Sequence, residues 1–238
     1  YGSWNWDAGS STVTNTDGSI TSSVRANPTA GISVVKYTGI QGGNRSYGHG
    51  LNATPDFIFS KKLTNTGPWV IFHKSLALDE AVFLNSHNAA SGDGTIWPSA
   101  PTSSVVNVGG SNYNNYNEDY IAYCFTTIDG FSSFGKYTGN GSADGPNVFT
   151  GMRPAFILTK GINDGEDWYI RDTTRSPINV VDESLRPNDT GTTYSGRKID
   201  ILSNGFKMVD SDSQVNENGK SYLYVAFAEH PFQTARAR

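Results

Sequence analysis

The sequence has almost no cysteine, because Cys124 is the only one among its 238 residues. A lone cysteine cannot form a disulfide within the chain, which excludes the disulfide-stapled scaffolds of small secreted domains. No histidine, lysine or arginine flanks Cys124 to lower its pKa, so a nucleophilic thiol is disfavoured. The sequence predicts a small buried side chain on a strand.

Long apolar runs and clustered positive charges are also missing. No stretch reaches the roughly 20 apolar residues of a membrane helix, and no signal-peptide core is present. The formal net charge is −4, and lysine or arginine residues gather only at 235–238. Because clustered cations bind a phosphate backbone, we expect neither nucleic acid as a partner nor insertion into a membrane.

The sequence patterns of known catalytic and metal sites are missing as well. The histidines lie in no zinc-binding spacing, and neither a G-x-S-x-G serine nor a phosphate-binding glycine loop occurs. The acidic stretches 163–168 and 210–213 are interpreted as polar loops, since the second lacks the ligand spacing of a calcium loop. His73 is expected at a solvated strand end. We expect no catalytic residue, no metal and no cofactor.

Short apolar runs separated by polar turns make up most of the chain. Hydrophobic residues are 36% of the sequence, below the ~45–50% of typical globular domains. The runs are rich in valine, isoleucine, phenylalanine and tyrosine and end at glycine, proline, asparagine or aspartate, as short strands do. Residues 75–85 have helical spacing, but Pro177 and Pro187 in the matching later segment allow at most a short helical turn. The sequence predicts an all-β fold.

An internal repeat explains the order of these runs. "KYTG" occurs at residues 36–39 and again at 136–139. Each copy is followed by matching runs, "PDFIF" and "RPAFIL", "WVIFHK" and "DWYIRD", "YIAYCF" and "YLYVAF". We predict two tandem, internally duplicated β-sandwich domains of jelly-roll type, at residues 31–133 and 134–238. The matching aromatic positions are Trp69 with Trp168 and Phe125 with Phe227.

Residues 1–30 differ from the two repeats. They alternate weakly around a turn signal at 17–18, which predicts an N-terminal β-hairpin arm or linker. Trp4 and Trp6 would share one face of its strand. Because an isolated hairpin is only marginally stable in water, we expect this arm to pack on a neighbour. The sequence begins with Tyr1 rather than methionine, so we expect it to be one end of a longer protein.

Aromatic residues in polar loops are the remaining functional signal. Rings among asparagine, serine and glycine stack on sugars or contact proteins, although a structural role is the alternative for each of them. The candidate ligand-binding residues are Tyr47, Trp97, Tyr113 and Tyr116.

Several longer motifs together resemble a known family. They include "GHGL" with "PDFIF", "WVIFHKSL", "FSSFGKYTGNGSADGPNVFTGMRPAFIL", "DILSNGF" and "YLYVAFAEHPF". These resemble a repeated β-rich domain of tail-fibre and other virion structural proteins of tailed bacteriophages, especially marine ones. The resemblance implies a protein made in the host bacterial cytoplasm and exposed on the phage particle, with no catalytic residue to carry over. The loop at residues 39–50 of this chain is longer than the family pattern and is a candidate for determining binding specificity.

Three functions compete at this stage. The first is a tail-fibre or appendage module that recognises a host-surface glycan. The second is a purely structural virion part, such as a fibre shaft, decoration or connector, that binds only other virion proteins. The third is a glycan depolymerase, which would need a pair of carboxylates across a sugar cleft.

The arm at residues 1–30 leads to a prediction about assembly. We expect a homo-oligomer, with a trimer favoured, because this segment has too little chain to bury itself. Light scattering of the purified protein measures its mass in solution. A stable monomer whose arm is removed by protease without consequence would contradict the prediction.

Overall fold

The chain folds into β-sheets, and the predicted all-β class is confirmed. The computed structural model describes residues 4–92 and 94–229. His230 and the basic cluster at 235–238 lie outside the described residues. Within the described part, the only α-helix has four residues, and no helix is long and apolar enough to cross a membrane.

The chain divides into two compact units. The N-terminal unit contains Trp4–Leu84 and Ala90–Thr127, and the C-terminal unit contains Asn85–Ala89 and the described residues from Ile128 onward. The sequence predicts domain boundaries between residues 30 and 31 and between residues 133 and 134. The second lies close to the observed division, whereas the first falls inside the N-terminal unit.

The described residues of the N-terminal unit form ten strands. They are β1 Val13–Asn15, β2 Ser22–Asn27, β3 Ile32–Thr38, β4 Arg45–Gly48, β5 Phe57–Lys62, β6 Trp69–His73, β7 Glu80–Phe83, β8 Ser91–Gly92, β9 Val105–Val108 and β10 Asp119–Phe125. Eight of them make one sheet in the order β1-β2-β3-β10-β5-β6-β7-β8, and β4 pairs with β9. All of these strand pairs are antiparallel.

The core of this unit lies between the large sheet and the β4–β9 pair. Alternate residues of β10, among them Tyr120 and Cys124, point into this core, as the period of two in a strand requires. The ring of Tyr37 on β3 stacks on that of Tyr47 on β4 at a centroid distance of 4.2 Å. Cys124 is fully buried, as predicted, and burial raises its pKa to about 12.

The part of the C-terminal unit up to residue 229 contains seven strands and the short helix. They are β11 Ser132–Thr138, β12 Asn147–Phe149, β13 Pro154–Gly161, β14 Trp168–Asp172, β15 Ile199–Leu202, β16 Gly205–Met208, α1 Ser213–Asn216 and β17 Ser221–Ala228. One sheet has the order β11-β17-β13-β14 and the other the order β12-β16-β15. The core lies between them, with Tyr137 of β11 edge-on to Phe206 of β16.

The main sheets of the two units share strand order and register. The order β3-β10-β5-β6 in the first corresponds to β11-β17-β13-β14 in the second. Trp69 lies opposite Lys61, and Trp168 lies opposite Lys160. Phe57 pairs with Phe125 just as Phe156 pairs with Phe227. The duplication of a whole β-sandwich stays a prediction.

The repeated "KYTG" motif has a structural role in both units. The Tyr37 hydroxyl donates to the carbonyl of Asn114 at 2.7 Å, and Tyr137 donates to that of Val215 at 2.8 Å. A Cβ on Gly39 would come within 2.2 Å of the Tyr116 carbonyl oxygen. The absence of a side chain on Gly39 therefore lets the turn at residues 114–116 lie close to the strand, and the tyrosine hydroxyl holds that turn by a hydrogen bond.

A buried asparagine in each unit adds a second contact between the motif and this turn. We call the tyrosine and asparagine contacts together the tyrosine–asparagine lock. Asn115 Oδ1 accepts from the Ile40 amide at 2.8 Å, and Asn216 Oδ1 accepts from the Asn140 amide at 2.9 Å. Both asparagines are completely buried. In each unit the strand carrying the motif is thus hydrogen-bonded to the turn that precedes the central strand.

Residues 4–30 belong to the large sheet and do not form a separate arm. Strand β1 pairs with β2, as the predicted hairpin requires, but β2 also pairs with β3 along its whole length. The ring of Trp6 lies edge-on to Phe125 at 6.0 Å. The open edge of β3 would otherwise leave its backbone groups without partners, so the hairpin packs within its own unit.

His73 is buried, so the expectation of a solvated strand end is wrong. It is 1% exposed, and its Nδ1 accepts a hydrogen bond from the Ser75 amide at 3.1 Å. Its ring also meets that of Phe57 at 6.1 Å. The turn after β6 folds back over the imidazole, and the sequence at a strand end does not report this covering.

Replacing Asn216 by alanine should destabilise the C-terminal unit. The Asn216 amide donates to the Ser142 and Asp210 carbonyls at 2.7 and 2.8 Å, so its loss leaves several buried groups without partners. We expect the free energy of unfolding to fall by about 2–4 kcal/mol. Exposed Asn218 is the matched control, with an expected change within about 0.5 kcal/mol. Urea unfolding measures both, and equal midpoints would contradict the role of Asn216.

Candidate functional site

Two of the aromatic residues predicted to bind a ligand lie in the core. Tyr47 is completely buried on β4, where burial raises its pKa. Trp97 is 2% exposed, its Nε1 donates to the Ile71 carbonyl at 3.2 Å, and its ring meets that of Phe72 edge-on. The predicted exposure of both rings is therefore wrong. Polar neighbours in sequence do not prevent a loop from folding its ring over the inner face of a sheet.

The other two predicted residues remain at the surface. Tyr113 is 39% exposed, and its ring is edge-on to Phe83 at 5.2 Å. Tyr116 is half-buried, with the Lys62 ammonium 5.9 Å from its ring centroid. Two of the four predicted residues are thus at least partly accessible and two lie in the core, so the four do not form one accessible site.

A different set of aromatic rings lies on the outer face of the large sheet. Phe59, Trp69 and Tyr123 are half-buried and face away from the core. The rings of Phe59 and Tyr123 stack at 4.6 Å, and Trp69 lies 5.8 Å from Phe59 and 6.4 Å from Tyr123. We call these three rings the aromatic platform.

The strand register produces this platform. Phe59 pairs with Tyr123 on one side and with Ile71 on the other. Trp69 is two residues from Ile71 and therefore shares its face. Beside the platform, on the same face of the sheet, the buried Phe125 lies 5.8 Å from Phe59, so adjacent rings support one another.

Two open grooves flank Tyr123. The first has a volume of about 740 Å³ and contains both Trp69 and Tyr123 in its lining. The second has a volume of about 560 Å³, and Trp6 and Tyr123 are among its lining residues. Hydrogen-bonding side chains stand beside the rings in both grooves. These side chains are Lys61, Thr64 and Asn65 in the first groove and Asp7, Arg25 and Lys36 in the second.

Several of the groove side chains are held by other residues. Arg25 Nε donates to the Gly9 carbonyl at 2.6 Å, and Lys36 pairs with Asp119 at 3.1 Å. Asn65 Nδ2 donates to Glu118 at 2.8 Å. These contacts fix donors and acceptors next to an apolar surface, which is the combination that binds an amphipathic ligand such as a sugar ring.

The corresponding positions of the C-terminal unit are covered. By register, Phe59 matches Leu158, and Tyr123 matches Val225. Leu158, Val225 and Trp168 are all buried. Among the described residues of these two main sheets, the N-terminal sheet therefore carries the accessible platform.

Sequence reasoning missed the platform because it searched loops. The run "YIAYCF" is apolar at every position, yet Ile121 and Tyr123 on its outer face are only half-buried. Assigning alternate residues of each strand to the outer face, starting from Phe59 and Trp69, would have placed aromatic rings on one face of neighbouring strands. The strand pairing that joins them is long-range, and a local pattern does not contain it.

The burial of Trp97 leads to a stability prediction. Replacing it by alanine should lower the free energy of unfolding by about 3–5 kcal/mol, because a large core ring is lost and a cavity remains. The control Tyr113→Ala should cost about 1 kcal/mol or less, since this ring is partly exposed. Chemical denaturation of both variants measures the difference. Equal losses would show that Trp97 is not a core residue.

Comparison with known protein families covers almost the whole chain. The model of a family described as "Domain of unknown function (DUF7483)" matches residues 1–231. No curated protein and no solved structure matches the chain. A function therefore has to be argued from the residues and their geometry.

Proposed function

The chain belongs to the DUF7483 family, and we propose that it is a bacteriophage virion module, in a tail fibre or appendage, that recognises a host-surface glycan through the aromatic platform. The placement in a virion rests on the sequence resemblance described above. The glycan-binding part rests on one observation, the accessible rings of Phe59, Trp69 and Tyr123 on a hydrogen-bonded sheet. The proposed activity is binding without catalysis.

The rigidity of the platform supports this proposal. All three rings stand on strands, and each pair of neighbouring strands is held by a backbone hydrogen-bond ladder. A preorganised ring loses little conformational entropy when a ligand stacks on it, so more of the contact energy appears as affinity. The platform therefore suits a ligand with flat apolar faces and polar edges.

The two grooves favour an extended ligand. They lie on either side of Tyr123, with volumes of about 740 and 560 Å³, within the ~300–1,000 Å³ of small-molecule sites. A polysaccharide lying across Tyr123 would reach the polar groups of both grooves. Such groups include Lys61 in the first groove and Lys36 in the second.

Weak individual contacts fit a protein present in several copies. Open grooves give modest affinity for each site, and linked sites raise the effective concentration of ligand. We therefore also propose that the module acts as a homo-oligomer, with a trimer favoured.

A purely structural virion role is the second candidate. Aromatic side chains are enriched at protein interfaces, so the same platform would fit a neighbouring virion subunit. A depolymerase is less favoured. Asp119 accompanies the groove residue Lys36, but hydrogen bonds from Thr38 and Lys36 lower its pKa. A general acid for glycoside hydrolysis needs a raised pKa.

The proposal predicts that platform variants lose glycan binding. We expect Trp69→Ala combined with Tyr123→Ala to weaken binding to purified envelope polysaccharides at least about tenfold, since two stacking rings are removed. Trp69→Phe with Tyr123→Phe should retain most of the affinity because the rings remain. Glycan arrays and affinity electrophoresis with capsular and O-chain polysaccharides measure binding. Thermal melts report whether each variant is folded.

The matched control is Phe149→Ala in the C-terminal unit. Phe149 is 71% exposed, so its removal takes away a surface ring of similar size outside the platform. Unchanged binding by the folded Ala pair would contradict glycan recognition. Loss of incorporation into particles, with no glycan binding by wild type, would favour the structural role. New reducing ends from a polysaccharide would favour the depolymerase.

A further inference from the structure

Three carboxylates converge at one end of the C-terminal unit. Asp164 and Glu166 lie in the loop between β13 and β14, and Glu217 follows α1. One oxygen of each lies within 4.8 Å of an oxygen of the other two. Residues far apart in sequence are thus brought together by the pairing of β13 with β17.

Glu166 is the unusual member of this cluster. It is 6% exposed, and its Oε2 has no hydrogen-bond partner. Removing a carboxylate from water without a partner is costly, so such groups are paired or coordinate a metal. The oxygen lies over Gly161, where an added Cβ would come within 2.7 Å of it. The glycine therefore makes room for the buried carboxylate.

The N-terminal unit has a lysine where the C-terminal unit has the buried carboxylate. Lys62 pairs with Tyr120 in the register in which Gly161 pairs with Tyr222. In the adjoining loop, the Gly67 carbonyl accepts from Lys61 as the Glu166 carbonyl accepts from Lys160. Lys62 of the N-terminal unit therefore corresponds to Gly161 of the C-terminal unit, and Gly67 corresponds to Glu166.

The exchange also reverses the charge. In the N-terminal unit the Lys62 ammonium donates to Asn112 Oδ1 at 2.6 Å and lies over the ring of Tyr116. The counterpart of Tyr116 is Glu217, since each directly follows the buried asparagine of its unit. One unit thus carries its own cation among neutral partners, whereas the other has carboxylates at the same place.

The lysines near the carboxylates do not complete the cluster. Lys220 forms an ion pair with Asp164, and its pKa is raised first by this contact and further by the charges of Glu217 and Glu166. Lys160 donates to the carbonyls of Glu166 and His87, and burial lowers its pKa to about 8. Neither of these contacts satisfies Glu166 Oε2, and three carboxylates still outnumber two ammonium groups.

We propose that Asp164, Glu166 and Glu217 bind a calcium ion. The donors are all carboxylate oxygens, which hard cations prefer, and no nitrogen or sulfur donor is part of the cluster. Calcium–oxygen distances of 2.3–2.6 Å place opposite ligands up to about 5 Å apart, so oxygens within 4.8 Å of one another can share one ion. Water completes the coordination on the exposed Asp164 side.

Calcium would strengthen the connection between two segments that are already linked by the Lys220–Asp164 ion pair and by the hydrogen bond from the Ser221 amide to Asn163. The ion connects the β13–β14 loop to the turn after α1, next to buried Asn216 of the lock. Its effect is therefore structural: it occupies the place that the Lys62 ammonium occupies in the N-terminal unit. No metal-binding pattern is visible in the sequence here because the three carboxylates come from two distant segments.

Calorimetric titration of the full chain with calcium alone tests the proposal. We expect one site with half-saturation at about 0.1–1 mM, the range of open extracellular sites, and a melting temperature that rises with calcium and falls back with chelator. Glu166→Gln should weaken calcium binding at least about tenfold. The exposed Asp129→Asn, outside the cluster, is the matched control and should bind as wild type does.

A second variant keeps the test decisive if Glu166→Gln does not fold. Gly161→Lys combined with Glu166→Gly transfers the N-terminal arrangement to the C-terminal unit. We expect this variant to be folded and its melting temperature to be insensitive to calcium. Absence of calcium binding by wild type up to about 10 mM, tenfold above the expected range, would overturn the proposal. Wild-type affinity in either the folded glutamine variant or the exchanged variant would overturn it too.

Discussion

The register of the central strand β10 determines most of what the N-terminal unit presents. Its pairing with β3 on one side and β5 on the other directs Tyr120, Ala122 and Cys124 into the core. The same pairing directs Tyr123 outward, beside Phe59. A shift by one residue would exchange the two faces, placing the platform in the core and the core in water. Core and candidate site are therefore two results of one constraint.

The two units use a common framework for different purposes. The tyrosine–asparagine lock and the strand order recur, while the side chains around them differ. Accessible rings occur on the outer face of one main sheet, whereas the matching residues of the other, Leu158, Val225 and Trp168, are buried. At the end of the sheet, Lys62 in one unit corresponds to Gly161 beside Glu166 in the other. A framework fixed by backbone and buried polar contacts tolerates such changes because they leave its hydrogen bonds intact.

Local patterns were sufficient for the fold class but not for the candidate site. Strand composition predicts the all-β class, and the order of runs predicts that Trp69 matches Trp168, because both depend on short windows. The burial of Tyr47 and Trp97 depends on which sheet a loop covers, and the neighbouring letters do not report that. The pairing of β2 with β3, and the approach of Glu217 to Glu166, likewise depend on contacts between distant segments. Sequence reasoning fails where long-range pairing decides the environment of a side chain.

The outermost strands of the large sheet are very short. Strand β1 has three residues and β8 has two, and most of their side chains are exposed. An open sheet edge is a template on which another chain can add a strand, and the risk rises when many copies are concentrated together. A two-residue edge of serine and glycine gives an incoming strand too few hydrogen bonds to hold. Edges this short therefore protect the large sheet against uncontrolled strand-by-strand polymerisation and leave its faces, rather than its edges, as the surfaces for specific contacts.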